Sequence, residues 1–512
     1  MSRLAPLRRR VGSLPRVRPA PRDASKAPGR DARAGSRRGS VGALVSAFLL
    51  AACGAVGPDY VRPTATVPAA YKEAGGAWKE ARPADTLPRG RWWELFNDPQ
   101  LNALAERVAT GNQTIQEAEA RYRQSQALVR QLRAGNYPVV GAGASADRRR
   151  TFDTGIPANS LFDLGASATW EPDFWGRVQR SVEAGEAQAQ AAAADLESAR
   201  LAATAALVQN YLTLRVIDVG AQILDATVAA YARALQLTLN RYNVGVAGKA
   251  EVVQAETQLK STQAERVGLG VQRAQLEHAI AVLLGEAPAT LSIPPAVMLA
   301  TLPQIPAGLP SELLERRPDI AAAERNVAAA NARIGVAQSA FYPAVTLSAN
   351  AGIRSTTFPE LLRAPSLFWA LGTAASQILF DAGARQASVD QARAAHEAEV
   401  ARYRQTVLNG FQDVEDNLAA LRVLEEEAKL QDAAVATARQ SATLTENRYK
   451  AGTASFLEVI VVQTIAQSNE RSAVVVLGRR LLAAVQLIRA LGGGWDAGEL
   501  KQLGIEQASS GR

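Results

Sequence analysis

The 512-residue chain has a single cysteine, Cys53, only two histidines, and aromatic residues at 5%. One cysteine excludes an internal disulfide. His278 and His396 each sit among Glu, Gln and Ala neighbours, as solvated or groove-lining helix residues do. No phosphate-cradling loop, metal-ligand spacing or nucleophile elbow occurs, so no enzyme is expected and no metal or catalytic residue is assigned. Beyond the leader, no stretch approaches the roughly 18 consecutive apolar residues of a transmembrane helix. Proline is missing between Pro172 and Pro288 and again after Pro365. Those two proline-free windows are where the sequence becomes informative.

Charge points first in a false direction. The net charge of +8 and pI near 9.7 suggest nucleic acid or an acidic membrane surface. Residues 1–52 hold 12 Lys+Arg against 2 Asp+Glu, leaving 45 against 47 in the remainder. The basic excess belongs to a leader, the body is balanced, and no nucleic-acid partner is implied.

The leader ends in "VGALVSAFLLAA" (41–52), an apolar run of signal-peptide length preceded by Arg37 and Arg38. "LAAC" (50–53) resembles a bacterial lipobox, so cleavage before Cys53 and diacylglycerol on its thiol, with an N-acyl chain, are expected. The alternative is an ordinary secretory signal with an incidental cysteine. Gly54 stands where an Asp favours retention at the inner membrane of Gram-negative bacteria, and it permits the outer one. Part of the long basic stretch before the apolar run is expected to lie upstream of the true translation start.

The chain repeats itself. "RYNVGVAGKAEV" (241–252) returns as "RYKAGTASFLEV" (448–459), and the 207-residue spacing holds from Ser181/Ser388 to Gly285/Gly492. At Tyr137/Tyr342 the spacing is 205, so this is a duplicated half-domain and not a short solenoid repeat. The proline-free windows are rich in Ala, Glu, Gln, Arg and Leu, all good helix formers. One helix is expected from Arg177 to about Tyr242 and its counterpart from about Arg385 to Tyr449, each about 100 Å long at ~1.5 Å per residue. Gly245 and Gly452 then supply the positive φ of a C-terminal cap. Helices return over roughly 249–284 and 455–491, so each dodecamer is the tip of a coiled-coil hairpin. "EEE" (425–427) is expected to be a solvated helix face and "GGG" (492–494) a chain-end linker.

Four segments alternate instead. In "LFDLGASATWE" (161–171), Phe162, Leu164, Ala166, Ala168 and Trp170 share one face. In "VTLSANAGIR" (345–354), Val345, Leu347, Ala349, Ala351 and Ile353 do the same. Less regular candidates are 139–148 and 367–379, and Pro138 and Pro343 mark the change from helix to strand. Each alternating run has about the 9–11 residues of a tilted membrane strand. A closed membrane barrel needs about eight strands, so four cannot close one. A membrane-inserted monomer is excluded; two copies would give eight strands and three would give twelve. The expected division is 1–52 leader, 53–97 lipid-anchored segment, 98–292 first repeat, 293–495 second repeat and 496–512 tail.

"CGAVGPDYVRP" (53–63), "RWWELFNDPQLNALAERV" (91–108), "WEPDFWGRV" (170–178), "SELLERRPDIAAAERNVAAANARIGVAQSAFYP" (311–343), "LFDAGARQ" (379–386), both tips and "LGGGW" (491–495) together resemble the TolC-like outer-membrane efflux channels, in their lipoprotein (NodT-type) branch. The resemblance covers about residues 53–495. It implies an α+β membrane protein. Four transmembrane strands per protomer close a 12-stranded β-barrel as a homotrimer, above a long antiparallel coiled-coil α-barrel. The shorter helices and the segments near 53–97 and 285–316 form a belt around it. It also implies a passive exit duct for small molecules, lipid-anchored in the outer membrane and extending into the periplasm. Partners would be a periplasmic adaptor, docked at tips carrying Arg241, Tyr242, Gly245, Arg448, Tyr449 and Gly452, and an inner-membrane resistance-nodulation-division pump. In the family pattern, acidic residues past the second tip narrow the mouth. Glu458 takes the first such position, Val461 stands at the second, and Glu251 is the counterpart on the first hairpin. The alternatives are a duct for type I protein secretion and a lipid-anchored coiled-coil scaffold without a pore.

Overall fold

Two helical hairpins of equal dimensions run through the computed structural model, which describes residues 55–73, 91–150, 158–296, 302–303, 305 and 316–493. Cys53, the leader and the 496–512 tail lie outside the described residues. Two short helices open the first repeat, α1 (Pro99–Gly111) and α2 (Gln113–Arg133). Asp98 caps α1, its carboxylate accepting from the amides of Gln100 (2.9 Å) and Leu101 (3.1 Å), with Pro99 at the first helical position, where its missing N–H is harmless.

The long helices α3 (Arg177–Asn243) and α6 (Ala384–Lys450) hold 67 residues each. The returning helices α4 (Lys249–Leu283) and α7 (Phe456–Ala490) hold 35 each, and each pair is offset by 207 positions. Helix α5 (Pro318–Ser339) is the second-repeat counterpart of α2, starting 205 positions later. The duplication extends to single bonds. The Asn112 side chain, at the cap of α2, donates to the Leu283 carbonyl (2.8 Å), while Arg317, at the cap of α5, donates to the Ala490 carbonyl (3.2 Å).

Alanine decides how the upper helices pack. Ala193 and Ala194 of α3 meet Ala321 and Ala322 of α5, and Ala187 meets Ala328 and Ala329. Such seams bury little apolar area per residue but let backbones approach closely. Mid-length, the seam widens into the main core. There Leu207, Val208, Tyr211 and Leu214 of α3 join Trp92, Phe96 and Leu101, with Phe411 and Val414 of α6 and Leu487 of α7. Towards the tips only a small cluster remains: Ala255, Tyr449, Phe456 and Val459.

A buried charge network pins the belt to this core. Arg215 (2% exposed) donates to Asp218 (2.8 Å), the Pro294 carbonyl (2.9 Å) and Gln100 (2.6 Å). Arg273 of α4 donates to the other Asp218 oxygen (2.9 Å), and Glu277 accepts from Arg273 (3.1 Å) and from the Ile293 amide.

The N-terminal segment 55–73 lies along the helices as a strap. Val56 donates to the Trp175 carbonyl (3.0 Å), Asn331 to the Pro58 carbonyl (2.9 Å), and Arg404 to that of Thr64 (3.3 Å). Tyr60 donates to the buried carboxylate of Glu324. Farther down, Glu415 accepts from the amides of Lys72 (2.7 Å) and Glu73 (3.0 Å).

Four strands form one antiparallel sheet in chain order: β1 (Val139–Arg149), β2 (Asn159–Trp170), β3 (Ala344–Ser355) and β4 (Leu367–Ser376). The last ends at Ser376, short of the expected 379; the Gln377 side chain turns away to donate to the Phe341 carbonyl (3.1 Å). "GGG" also differs from expectation. Gly492 and Gly493 cap α7 with φ of 88° and 62° and are buried. A Cβ on Gly492 would sit 1.9 Å from the Arg316 carbonyl oxygen, so the glycine permits a tight helix end and is no linker; Gly494 lies outside the described residues. In "EEE", Glu427 reaches across the hairpin to Arg479 (3.0 Å), and Glu425 pairs with Lys429 (2.9 Å). Among the described residues, no helix is long and apolar enough to cross a membrane; that says nothing of the strands.

Candidate functional site

Pairing register sorts the sheet into two unlike faces. Leu164 lies opposite Ile353, Ala166 opposite Ala351, Ala168 opposite Ala349 and Trp170 opposite Leu347. β1 continues this face with Val140, Ala142 and Ala144, and β4 with Trp369 and Leu371. Trp369 (74% exposed) and Leu371 (76%) stand open on this face. The other face carries Asp163, Ser167, Asn350 and Arg354. Arg354 donates to Asp163 across the strand pair (2.6 Å), and its guanidinium lies 4.4 Å from the Phe368 ring centre. Among the described residues, both sheet edges, β1 and β4, are unpaired. Four strands with an apolar face, a polar face and two open edges cannot close a membrane barrel by themselves.

The tips lie at the opposite ends of α3 and α6. Gly245 and Gly452 adopt φ of 76° and 78°. Gly245 donates to the Tyr242 carbonyl (2.9 Å) and Val246 to that of Arg241 (2.9 Å); Gly452 and Thr453 repeat this on Tyr449 (3.0 Å) and Arg448 (2.9 Å). These are paired Schellman caps, which is why the left-handed residue is glycine in both.

The two tip carboxylates are cap residues of the returning helices. The Glu458 carboxylate accepts from the Ser455 amide (3.1 Å) and hydroxyl (3.1 Å), while the Ser455 hydroxyl accepts from the Glu458 amide (3.3 Å). That is a complete capping box. Glu251 accepts from the Gly248 amide (3.3 Å); Gly248 has no side chain, so only this half of the box forms. The Ser455 amide and then its hydroxyl hold the Glu458 carboxyl below the usual glutamate range, with Arg448 adding to the effect at 3.8 Å.

Tyr449 is buried (3% exposed), and the guanidinium of Arg241, from the first hairpin, lies 4.5 Å from its ring centre. Tyr242, its counterpart, is 42% exposed. The six predicted tip residues therefore divide into two glycines that shape the caps, an Arg–Tyr pair joining the hairpins, and an exposed Tyr and Arg. Sequence reasoning missed this pairing and the strap. The repeated Arg-Tyr dipeptide was the signal for the first. His278 and His396 fall on α4 and α6. Among the described residues, no group of three or more His, Cys, Asp or Glu side chains is placed to hold a metal.

The model of the family described as "Outer membrane efflux protein" matches residues 104–286 and 309–493. The chain is 32% identical over 460 residues to the probable efflux pump outer membrane protein TtgC of Pseudomonas putida, covering 88% of this chain and 94% of that one. Among solved structures, the outer-membrane channel OprN is similar with a TM-score of 0.79 at 31% identity, covering 86% of this chain and 99% of that one. The Campylobacter jejuni CmeC outer membrane channel shares the fold, with a TM-score of 0.83 at 21% identity over 89% and 98% of the two chains.

Proposed function

The chain belongs to the outer membrane efflux protein family, and from that premise we propose that three copies assemble into one continuous duct. Each copy contributes four strands to a twelve-stranded barrel in the outer membrane. The helical hairpins extend it through the periplasm to a mouth ringed by six tips. A periplasmic adaptor docks there and couples the duct to a resistance-nodulation-division pump. The duct conducts passively, and the pump supplies the energy. It has no catalytic residues and takes no cofactor. The TtgC relative's name, efflux pump outer membrane protein, favours small-molecule cargo over secreted polypeptide.

The sheet carries this reading: four strands, apolar on one face, with both edges open. An open edge in lipid leaves a row of unsatisfied backbone groups, each costing several kcal/mol (~2–7), so other copies must complete the ring. Cys53 is acylated in this reading. Ala55, two positions along the sequence from Cys53, packs on Gly176, where the chain passes from β2 into α3. Glu458 and Glu251 line the mouth. The test is native mass in detergent, with detergent subtracted, combined with planar-bilayer conductance. A trimer with discrete channel steps is expected; a non-conducting monomer would remove the proposal.

A further inference from the structure

The apolar face of the sheet does not stay apolar to its far end. On β1 it runs through Val140, Ala142, Ala144 and Ala146, the last opposite Phe162 of β2. Two positions on, Arg148 takes the same face, opposite Ser160. From Val140 to Arg148 the strand covers about 26 Å at ~3.3 Å per residue, or ~20 Å of height at a tilt near 40°. The lipid-facing band of a membrane barrel is about 25 Å tall, so Arg148 stands near its boundary. That boundary is the exterior one, because the other end of β1 joins α2.

The connection from β3 to β4 comes to this same face. The Phe358 ring sits edge-on to Phe162, with ring centres 5.6 Å apart and planes at 72°. Phe162 belongs to the apolar face, so the turn leaves the sheet on that side, away from Asp163 and Arg354 on the polar one. The turn is fastened to itself. The Ser366 hydroxyl (2.7 Å) and the Arg363 amide (3.1 Å) both donate to the Glu360 carbonyl, and Leu361 is buried. Phe358 (68% exposed), Leu362 (84%) and the Arg363 side chain (70%) remain open. The Glu360 carboxylate lies 3.6 Å from Arg363 and accepts from the Thr357 hydroxyl (3.3 Å). An exposed ion pair of that length is weak and readily exchanged. Among the described residues, nothing pairs with the Arg148 side chain.

We propose that this end of the apolar face binds the phosphorylated glycolipid of the outer leaflet. Arg148 and Arg363 take its phosphates, while Phe358 and Leu362 lie among the upper parts of its acyl chains. A guanidinium presents a planar fork that matches phosphate oxygens in pairs. The neighbouring apolar side chains decide between a lipid and a free anion. Soluble phosphate would satisfy the arginines and leave Phe358 and Leu362 in water; an anionic head carrying acyl chains satisfies both. Because the turn leaves the sheet on the apolar side, a lipid held there lies outside the duct and does not narrow it.

The inference rests on the strands spanning the outer membrane, as proposed above, and channel conductance of the same preparation separates the two. Full-length protein in nanodiscs is titrated with lipid A bearing both phosphates, with dephosphorylated lipid A, and with inorganic phosphate. Arg148→Gln combined with Arg363→Gln should bind the bisphosphorylated lipid about tenfold more weakly than the parent. The dephosphorylated lipid should not distinguish the two proteins, and channel steps should be unchanged. A nitroxide on Leu362→Cys, in a Cys53→Ser background, should relax with oxygen dissolved in the lipid and not with a water-soluble nickel chelate. Equal affinity of parent and double variant, or nickel access at position 362, overturns the glycolipid site in a conducting channel. Displacement of the lipid by millimolar inorganic phosphate overturns it in favour of a simple anion site. Absence of conductance in the parent removes the membrane-spanning reading and the site with it.

Discussion

Gly57 crosses Gly335 backbone to backbone: a Cβ built on Gly57 would lie 2.5 Å from the Gly335 Cα, and Gly57 holds φ at 109°. No side chain fits there. The same crossing carries the Arg180 bonds to the carbonyls of Val56 (3.2 Å) and Gly57 (3.2 Å). Gly57→Ala should therefore lift the strap, at a cost of about 1–3 kcal/mol from overpacking. Limited proteolysis should show new cleavage within residues 55–73. An unchanged fragment pattern would mean the crossing relaxes without loss.

Arg215 and Asp218 are a buried pair, with side chains 2% and 4% exposed. Removing one partner leaves the other charged and uncompensated, which costs about 3–5 kcal/mol. Arg215→Ala should lower the melting temperature and the amount of mature protein. Arg215→Lys should not restore it, because one ammonium cannot bond Asp218, Gln100 and the Pro294 carbonyl in the directions the guanidinium uses. A melt within error of wild type would show that the belt is held by other contacts.

Nothing lies within 4 Å of a Cβ built on Gly245 or Gly452, so substitution there is opposed by backbone conformation alone. Gly452→Val should cost ~1–2 kcal/mol locally and splay α7 from α6. Assembly in the membrane should survive while drug resistance is lost. Disappearance of the assembled protein would assign the glycine to folding and not to adaptor docking.

The Glu458 carboxyl is held below its ordinary range. A depressed folded-state pKa gives a contribution that is full above the unfolded value and fades as pH falls through the folded one. The second-tip cap is thus intact at neutral pH and fails only in acid below the usual glutamate range. Glu458→Gln should speed amide exchange at the start of α7 at neutral pH and abolish its acid dependence. If Glu458 also lines the mouth, the same variant should lower cation selectivity; unchanged ion selectivity would leave it as a helix cap only.

Cys53→Ser should remove the acyl mass from the mature N-terminus in mass spectrometry. Assembly should persist, because the sheet edges that make it lie elsewhere. An unmodified thiol on the parent chain would contradict lipidation directly.

Most of the frame was legible because it depends on local rules. Missing prolines and abundant helix formers marked α3 and α6 to within a residue or two. Alternation marked β2 and β3, and glycine marked both caps. What escaped notice depends on distant partners. Gly57 looks like any loop glycine until Gly335 arrives opposite it. Arg215 looks like a surface arginine until Gln100 and Pro294 close over it. "GGG" suggested a linker because its composition carries no trace of the Arg316 carbonyl that requires it. The carboxylates Glu251 and Glu458 could be located at the tips, but their bonds to residues 248 and 455 turn on which helix end they occupy.

Matching helix lengths would set the evenness of the rim in the proposed trimer. Both long helices have 67 residues and both returning ones 35, so in the proposed trimer all six tips would finish level. Deleting one heptad from each arm of the second hairpin, α6 and α7, would draw alternate tips back by about 10 Å and give the rim a crown-like, uneven edge. An adaptor ring seated on it would touch every second tip. Removing the matching heptads from α3 and α4 as well would restore a level rim on a shorter duct. Insertions and deletions in the hairpins should therefore be tolerated only when matched between the two repeats, so that the two halves change length together.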